Sequence, residues 1–405
     1  MAHGVRRAMM SVAAPDTSLG VAHHVREARD RRATLRIAGA AHWMNAGRPT
    51  SALGTLSLSA LAGIVDYNPG DLTLTARAGT SLETIAHAAA AEHQWLALDP
   101  FGDPSGTLGA TVATASSGPL ACAFGTPRDN VLGLEIVTGD GRTIRSGGRV
   151  VKNVAGFDLT RLFTGSWGTL GVITEVTVRL RALPEVEDTL ALSIDEHPET
   201  VGALLVRLRA AAIAPLALEL VNAPLARVLG LAETMVLLIR LGGNADSVRA
   251  QRAALGFAGG ITTVPASMWN VLRTCEPEHA MVMRISMPPS RLAECWVAAR
   301  HVTHDVLHDA TPDATRVARG ARPPLMHGTV ERGVVRCIVP APSSDAVDRA
   351  IAACATLPAT VIFERLPDSA WPRVPHALHG RLAPRIRQTF DPDGILNPGI
   401  LGATP

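Results

Sequence analysis

The sequence is poorest in lysine and tyrosine, with one of each. Lys152 is the single lysine among 38 basic residues; the others are arginine. Codon usage biased toward arginine and alanine accounts for that background. A lysine kept against it marks a place where arginine's broad fork does not replace a compact ammonium. Cysteine is scarce too, with five residues, Cys122, Cys275, Cys295, Cys337 and Cys354. None stands in a Cys-x-x-Cys pair, which argues against a zinc ribbon, an iron–sulfur cluster or a dithiol redox site. A dispersed, odd set fits buried free thiols in a reducing compartment. No apolar run approaches the roughly 20 residues that cross a bilayer, and the N-terminus has no run long enough for a signal peptide. The expectation is a soluble, cytoplasmic protein that meets a membrane only through partners. Charge is modest, at 18% charged residues and a net charge of +2. Neither value suggests disorder or a nucleic-acid binder.

Two motifs are missing. The lack of a Gly-x-Gly-x-x-Gly argues against a Rossmann dinucleotide site, and without a Gly-x-x-x-x-Gly-Lys-[Ser/Thr] there is no P-loop. A phosphate-bearing cofactor would need other glycine-rich backbone. The chain has room for it, since 405 residues with 47% hydrophobic content make two or three domains with real cores.

Periodicity predicts a helix over Thr17 to Asp30, a short strand at Leu35-Arg36-Ile37, and strands at Gly63 to Asp66 and Leu72 to Ala76 around an Asn68-Pro69-Gly70 turn. Tyr67, the only tyrosine, reads as structural. Thr80 and Glu83 form a capping box ahead of a helix with Leu82, Ile85, Ala86 and Ala89 on one face. Val131 to Thr138 and Thr143 to Arg145 read as a hairpin about Asp140-Gly141. A short helix follows over Asp158 to Phe163. Gly171 to Leu183 reads as a long strand, with Val176, Val178 and Leu180 on one face. After Pro184 strands and helices alternate, in the manner of ferredoxin-like units, and a last helix is expected from about His376 to Thr389.

Three runs of small residues carry chemical content. The first is Gly39-Ala40-Ala41-His42. The second runs from Gly106-Thr107-Leu108-Gly109 to Ser116-Ser117-Gly118. The third is Gly165 to Gly171, entering a strand. Singly, each is an ordinary turn signal. Their order and spacing are more specific. With Leu35 to Pro49, Asp66 to Glu83, Lys152 to Leu159 and the closing Phe390 to Gly399 segment, the chain resembles the FAD-binding subunit of glycolate oxidase. The wider group is the vanillyl-alcohol-oxidase/p-cresol-methylhydroxylase type of FAD-linked oxidase. The match covers roughly residues 17 to 184 and 376 to 399 and is thin between them.

The resemblance implies an α+β fold. A two-subdomain FAD-binding domain of the p-cresol-methylhydroxylase type (1–184) is followed by a ferredoxin-like cap (185–375) and a C-terminal return to the FAD domain (376–405). It implies FAD as cofactor, with its pyrophosphate at Gly39, Ala40, Ala41 and His42. The flavin and ribityl chain lie along Gly106, Thr107, Gly109, Ser116, Ser117 and Gly118, and Gly168, Gly171, Val172 and Ile173 pack on the cofactor. Lys152 places positive charge toward flavin or substrate anion, or pairs with a surface carboxylate. By the same resemblance the chain passes electrons in a complex that oxidises glycolate or a related 2-hydroxyacid, beside a sister FAD subunit and an iron–sulfur subunit.

The sequence departs from this pattern. The family's pyrophosphate loop is richer in glycine than Gly39-Ala40-Ala41, and His42 stands at a serine-like position, where certain relatives attach FAD covalently. The His-x-Gly-Asp-Gly-Asn-x-His metal motif and the Glu-His-Gly of related D-2-hydroxyacid dehydrogenases are missing. His327-Gly328-Thr329-Val330 is at best a remnant of the former, and His376 and His379 lack the carboxylate of the latter. His301, His304 and His308 share a helix face without further ligands, so no metal site is expected. No catalytic residue is assigned. A self-sufficient FAD-linked oxidase of another alcohol or acid, and a scaffold that has lost tight FAD binding, remain as alternatives.

Overall fold

A computed structural model describes residues 11–148, 158–305, 322–375 and 382–402. Lys152, His308, His376 and His379 lie outside the described residues. Helix α1 (Ser18–Asp30) starts where Thr17 Oγ1 accepts the Gly20 N–H at 3.1 Å, and it buries Val21, Ala22, Val25 and Ala28 at helical spacing. Around it β1 (Ser11–Ala13), β2 (Leu35–Ala38) and β3 (Gly54–Ser57) form a parallel sheet in the order β1-β3-β2.

The chain then builds a second, antiparallel sheet. Its elements are β4 (Ile64–Asn68), β5 (Thr73–Arg77), α2 (Leu82–Ala90), β6 (Gln94–Trp95), α3 (Leu108–Thr114), β7 (Val131–Thr138), β8 (Thr143–Gly147), β9 (Gly171–Arg179) and β10 (Arg181–Ala182). Five strands are ordered β4-β5-β9-β7-β8, while β6 pairs with β10. Val176, Val178 and Leu180 are fully buried, in keeping with their two-residue period.

The expected capping box is not formed. Ser81 is the N-cap of α2, accepting the Thr84 N–H at 3.1 Å. Thr80 is drawn into the preceding turn instead, donating to the Arg77 carbonyl and accepting from the Gly63 N–H. Ala86 is consequently exposed, and only Leu82, Ile85 and Ala89 are buried. Helix α3 gave no periodic signal, because a run of small residues with only Leu108 and Val112 as large apolar anchors reads as loop.

Beyond residue 185 one sheet dominates. Its strands are β11 (Val186–Ile194), β12 (Ala217–Val221), β13 (Met235–Gly243), β14 (Thr262–Thr263), β15 (Met281–Ser286), β16 (Leu325–Thr329), β17 (Val334–Val339) and β18 (Thr360–Arg365). The order is β14-β11-β13-β12-β16-β17-β15-β18, antiparallel throughout. The outer face is apolar, with Leu190, Leu237, Ile239, Met283 and Cys337 packed together with residues of the helices Pro198–Ala210, Leu292–Arg300 and Ser344–Ala355. The inner face carries Ala217, Val221 and Leu238, and among them buried charged groups, with Glu219, His327 and Arg336.

The C-terminal segment closes the N-terminal domain. After the helix Leu382–Phe390, the Leu35 N–H donates to the Ile395 carbonyl and the Asn397 N–H to the Leu35 carbonyl. Among the described residues no helix is long and apolar enough to cross a membrane.

Candidate cofactor cleft

A cleft of about 1030 Å³, counting the solvent at its mouth, opens between the parallel and antiparallel sheets' loops. Its wall contains Gly39, Ala40, Ala41 and His42 from the loop after β2, Gly106, Thr107, Gly109 and Ser116 from around α3, and Gly168, Gly171 and Ile173 at the start of β9. The three runs of small residues therefore share one cavity. Ser117, Gly118 and Val172 do not line it. Gly118 instead packs on the Asp99 backbone, leaving no room for a Cβ, and Val172 points into the domain core, as its neighbour-by-neighbour alternation with Ile173 requires.

The glycines chiefly bring the runs against one another. A Cβ at Gly39 would overlap Thr107 Oγ1, the N-cap of α3. A Cβ at Gly109 would overlap Ala78. Gly168, with φ +67°, sits against Asn397. Asn397 is the clamp of this corner: its Oδ1 accepts the Ile37 N–H at 2.8 Å and its Nδ2 donates to the Trp167 carbonyl at 2.7 Å. The closing segment thereby ties the first run to the third.

Alanine in place of glycine does not abolish the first loop's turn. Ala41 takes φ +63°, a left-handed conformation that costs an L-residue roughly 1–2 kcal/mol. The N–H groups of Ala40, Ala41 and His42 have no hydrogen-bond partner among the described residues. Free donors on a tight turn make an anion-binding concavity. Charged groups on the wall are few. His42 is exposed, its Nε2 3.5 Å from Ser105 Oγ. Asp103 is held below the usual carboxylate range by the Ser105 hydroxyl and N–H. Arg36, Trp43, Met44, Leu58, Trp167 and Asn397 complete much of the wall and were not picked out from the sequence as ligands. Small uncharged surface with a few free donors is what a dinucleotide carrying a flat ring and a diphosphate requires.

Residues 10–147 match the family described as FAD binding domain. The chain is 40% identical over 179 residues to the glycolate oxidase subunit GlcE of Escherichia coli, covering 44% of this chain and 50% of that one. It is 37% identical over 164 residues to the glycolate oxidase subunit GlcD of Bacillus subtilis, covering 40% and 34%. In fold it is similar to p-cresol methylhydroxylase with substrate bound, with a TM-score of 0.72 over 97% of this chain and 88% of that chain, at 14% identity. Residues 10–147 form an FAD-binding domain. The curated matches span half or less of those relatives' lengths.

Beside the FAD-binding domain, the inner face of the sheet beyond residue 185 carries charges that largely pair with one another. Arg336 is paired with Glu364 and, at 2.6 Å, with Glu276. Burial works against its charge, but the two carboxylates outweigh that and raise its pKa. Arg284 also meets Glu364, at 2.6 Å. His327 Nδ1 lies 2.8 Å from Glu219 Oε2, both side chains buried. Phe101, a cleft-lining residue of the FAD domain, covers this patch: its ring is 5.1 Å from that of His327 and 4.3 Å from the Arg336 guanidinium. Sequence reading gave His327 as a motif fragment but missed Glu219, Glu276, Arg336 and Glu364, which are scattered along the chain. Among the described residues no group of three His, Cys, Asp or Glu is placed to hold a metal ion. The five cysteines are free, and burial pushes Cys122 and Cys354 up to about 12, which leaves them unreactive near neutral pH.

Proposed function

We propose that this chain is the FAD-binding subunit of a complex that oxidises glycolate or a related 2-hydroxyacid, working beside a sister flavoprotein and handing electrons to an iron–sulfur subunit. The observation that carries the reading is the meeting of the three small-residue runs around one cleft with free N–H donors. Bound FAD supplies a ring that takes up hydride and releases electrons onward. The chain's own residues hold it. Gly39, Ala40, Ala41 and His42 offer N–H groups to the diphosphate, the stretch around α3 and Gly168 to Ile173 form the flat walls, and Asn397 locks the corner. Lys152 stays in this proposal as a cation for flavin or substrate anion.

Oxidation of a 2-hydroxyacid needs a base at the hydroxyl and a cation for the carboxylate. In the cap patch Arg336 and Arg284 are committed to Glu276 and Glu364, and Phe101 covers Arg336. That favours catalysis in the sister subunit. One observation favours a self-sufficient enzyme: His327 Nε2 is buried without a partner, on a ring oriented by Glu219, as a general base would be. Turnover of glycolate with an artificial electron acceptor separates the two. The first reading expects none from the purified chain and activity on adding the sister subunit. Turnover by the chain alone, lost in His327→Gln with FAD still bound, would select the second.

A further inference from the structure

Arg36 lies on β2, three residues before the first run, and lines the cleft. It is 7% exposed, and its Nη1 is buried without a hydrogen-bond partner. No carboxylate meets its guanidinium among the described residues. The contrast with the other deeply buried arginines is sharp: Arg336 has Glu276 and Glu364, and Arg365 has Glu276 at 3.4 Å. On β2, Leu35 and Ile37 pack against the domain core, while Arg36 and Ala38 lie on the alternate face. Burial lowers the Arg36 pKa, with no neighbouring acid to offset it. A buried cation without a counter-charge is costly unless an anion arrives to pair with it.

We propose that Arg36 is the side chain that binds the diphosphate of the cofactor. The proposal rests on FAD as the occupant of the cleft. The diphosphate is the anionic part of FAD, and Arg36 is the one arginine or lysine on the described wall. Its planar fork suits two phosphate oxygens at once. The backbone N–H groups of the first loop and the guanidinium then divide the work: the loop positions the diphosphate, and Arg36 neutralises it.

The test uses the whole chain as apoprotein, wild type against Arg36→Met and Arg36→Lys. FAD, ADP and adenosine are titrated at several salt concentrations, and the melting temperature is recorded without ligand. The methionine variant is expected to lose at least about tenfold in affinity for FAD and ADP, as for a lost charge-assisted contact. Adenosine binding stays within about twofold, and the salt dependence for FAD becomes shallower. The lysine variant regains part of the loss. The apoprotein of Arg36→Met melts no lower than wild type, because an unpaired buried charge has gone. Unchanged FAD and ADP affinity in Arg36→Met overturns the proposal. So does a lower melting temperature with all three ligands weakened alike, which makes Arg36 structural. A wild-type chain that takes up no FAD sinks the FAD reading itself, and ADP against adenosine then still judges Arg36 as a diphosphate binder.

Discussion

Asp99 illustrates how much one side chain contributes to the join between the FAD-binding domain and the sheet beyond residue 185. Both its oxygens accept the Leu120 N–H, at 3.2 and 3.0 Å. Burial pushes its carboxyl up to about 7, against the pull of Arg273 from the cap. The folded value thus lies above the unfolded one of about 4, so the fold holds a proton that the unfolded chain releases. Stability from this residue is full below about pH 4 and declines as pH rises to about 7. Asp99→Asn removes that slope. Chemical unfolding of both proteins from pH 4.5 to 7.5 is expected to show the difference moving in the variant's favour with rising pH, by roughly 3 kcal/mol. A difference that stays constant across that range contradicts the assignment.

At the scale of elements, the cleft depends on the loop after β2 lying against α3. The contact is a glycine-on-threonine fit with no spare volume. Gly39→Ala is expected to push the loop off Thr107, lowering stability by about 1–3 kcal/mol as overpacking does and weakening FAD more than tenfold. Thermal unfolding and FAD titration check this; an alanine variant that binds and melts as wild type removes the steric argument. The elements differ in how far sequence revealed them. Val131–Thr138 coincides with the expected strand because a short run of largely branched apolar residues, closed by the Asp140-Gly141 turn, leaves little choice. Helix α3 escaped notice because small residues carry no period, and β16 because His327 and Gly328 interrupt its apolar pattern. Of the expected cofactor residues in the three runs of small side chains, all but Ser117 and Gly118 reach the cleft wall. Arg36 and Asn397 were not singled out as cofactor residues because nothing local marks them: one is an arginine among many, and the other is brought in from the far end of the chain.

In the whole molecule, two regions divide the labour. The FAD domain supplies a cavity walled largely by small uncharged residues, and the sheet beyond residue 185 pairs Arg284 and Arg336 with Glu364 and His327 with Glu219 on its inner face. One place where they meet is the loop of Asp99 to Gly102, where the Gly102 N–H donates to the Arg273 carbonyl and Arg273 Nε donates to the Pro100 carbonyl at 2.9 Å. The cofactor assignment does not depend on which subunit oxidises the substrate. It depends on the cavity, and the most direct measurement is stoichiometric. Purified chain, stripped and then titrated with FAD, is expected to take up one FAD with quenching of flavin fluorescence, and acid precipitation is expected to release the yellow colour into the supernatant, His42 acting through a hydrogen bond. A folded chain that remains colourless and quenches no flavin at any FAD concentration would contradict the account.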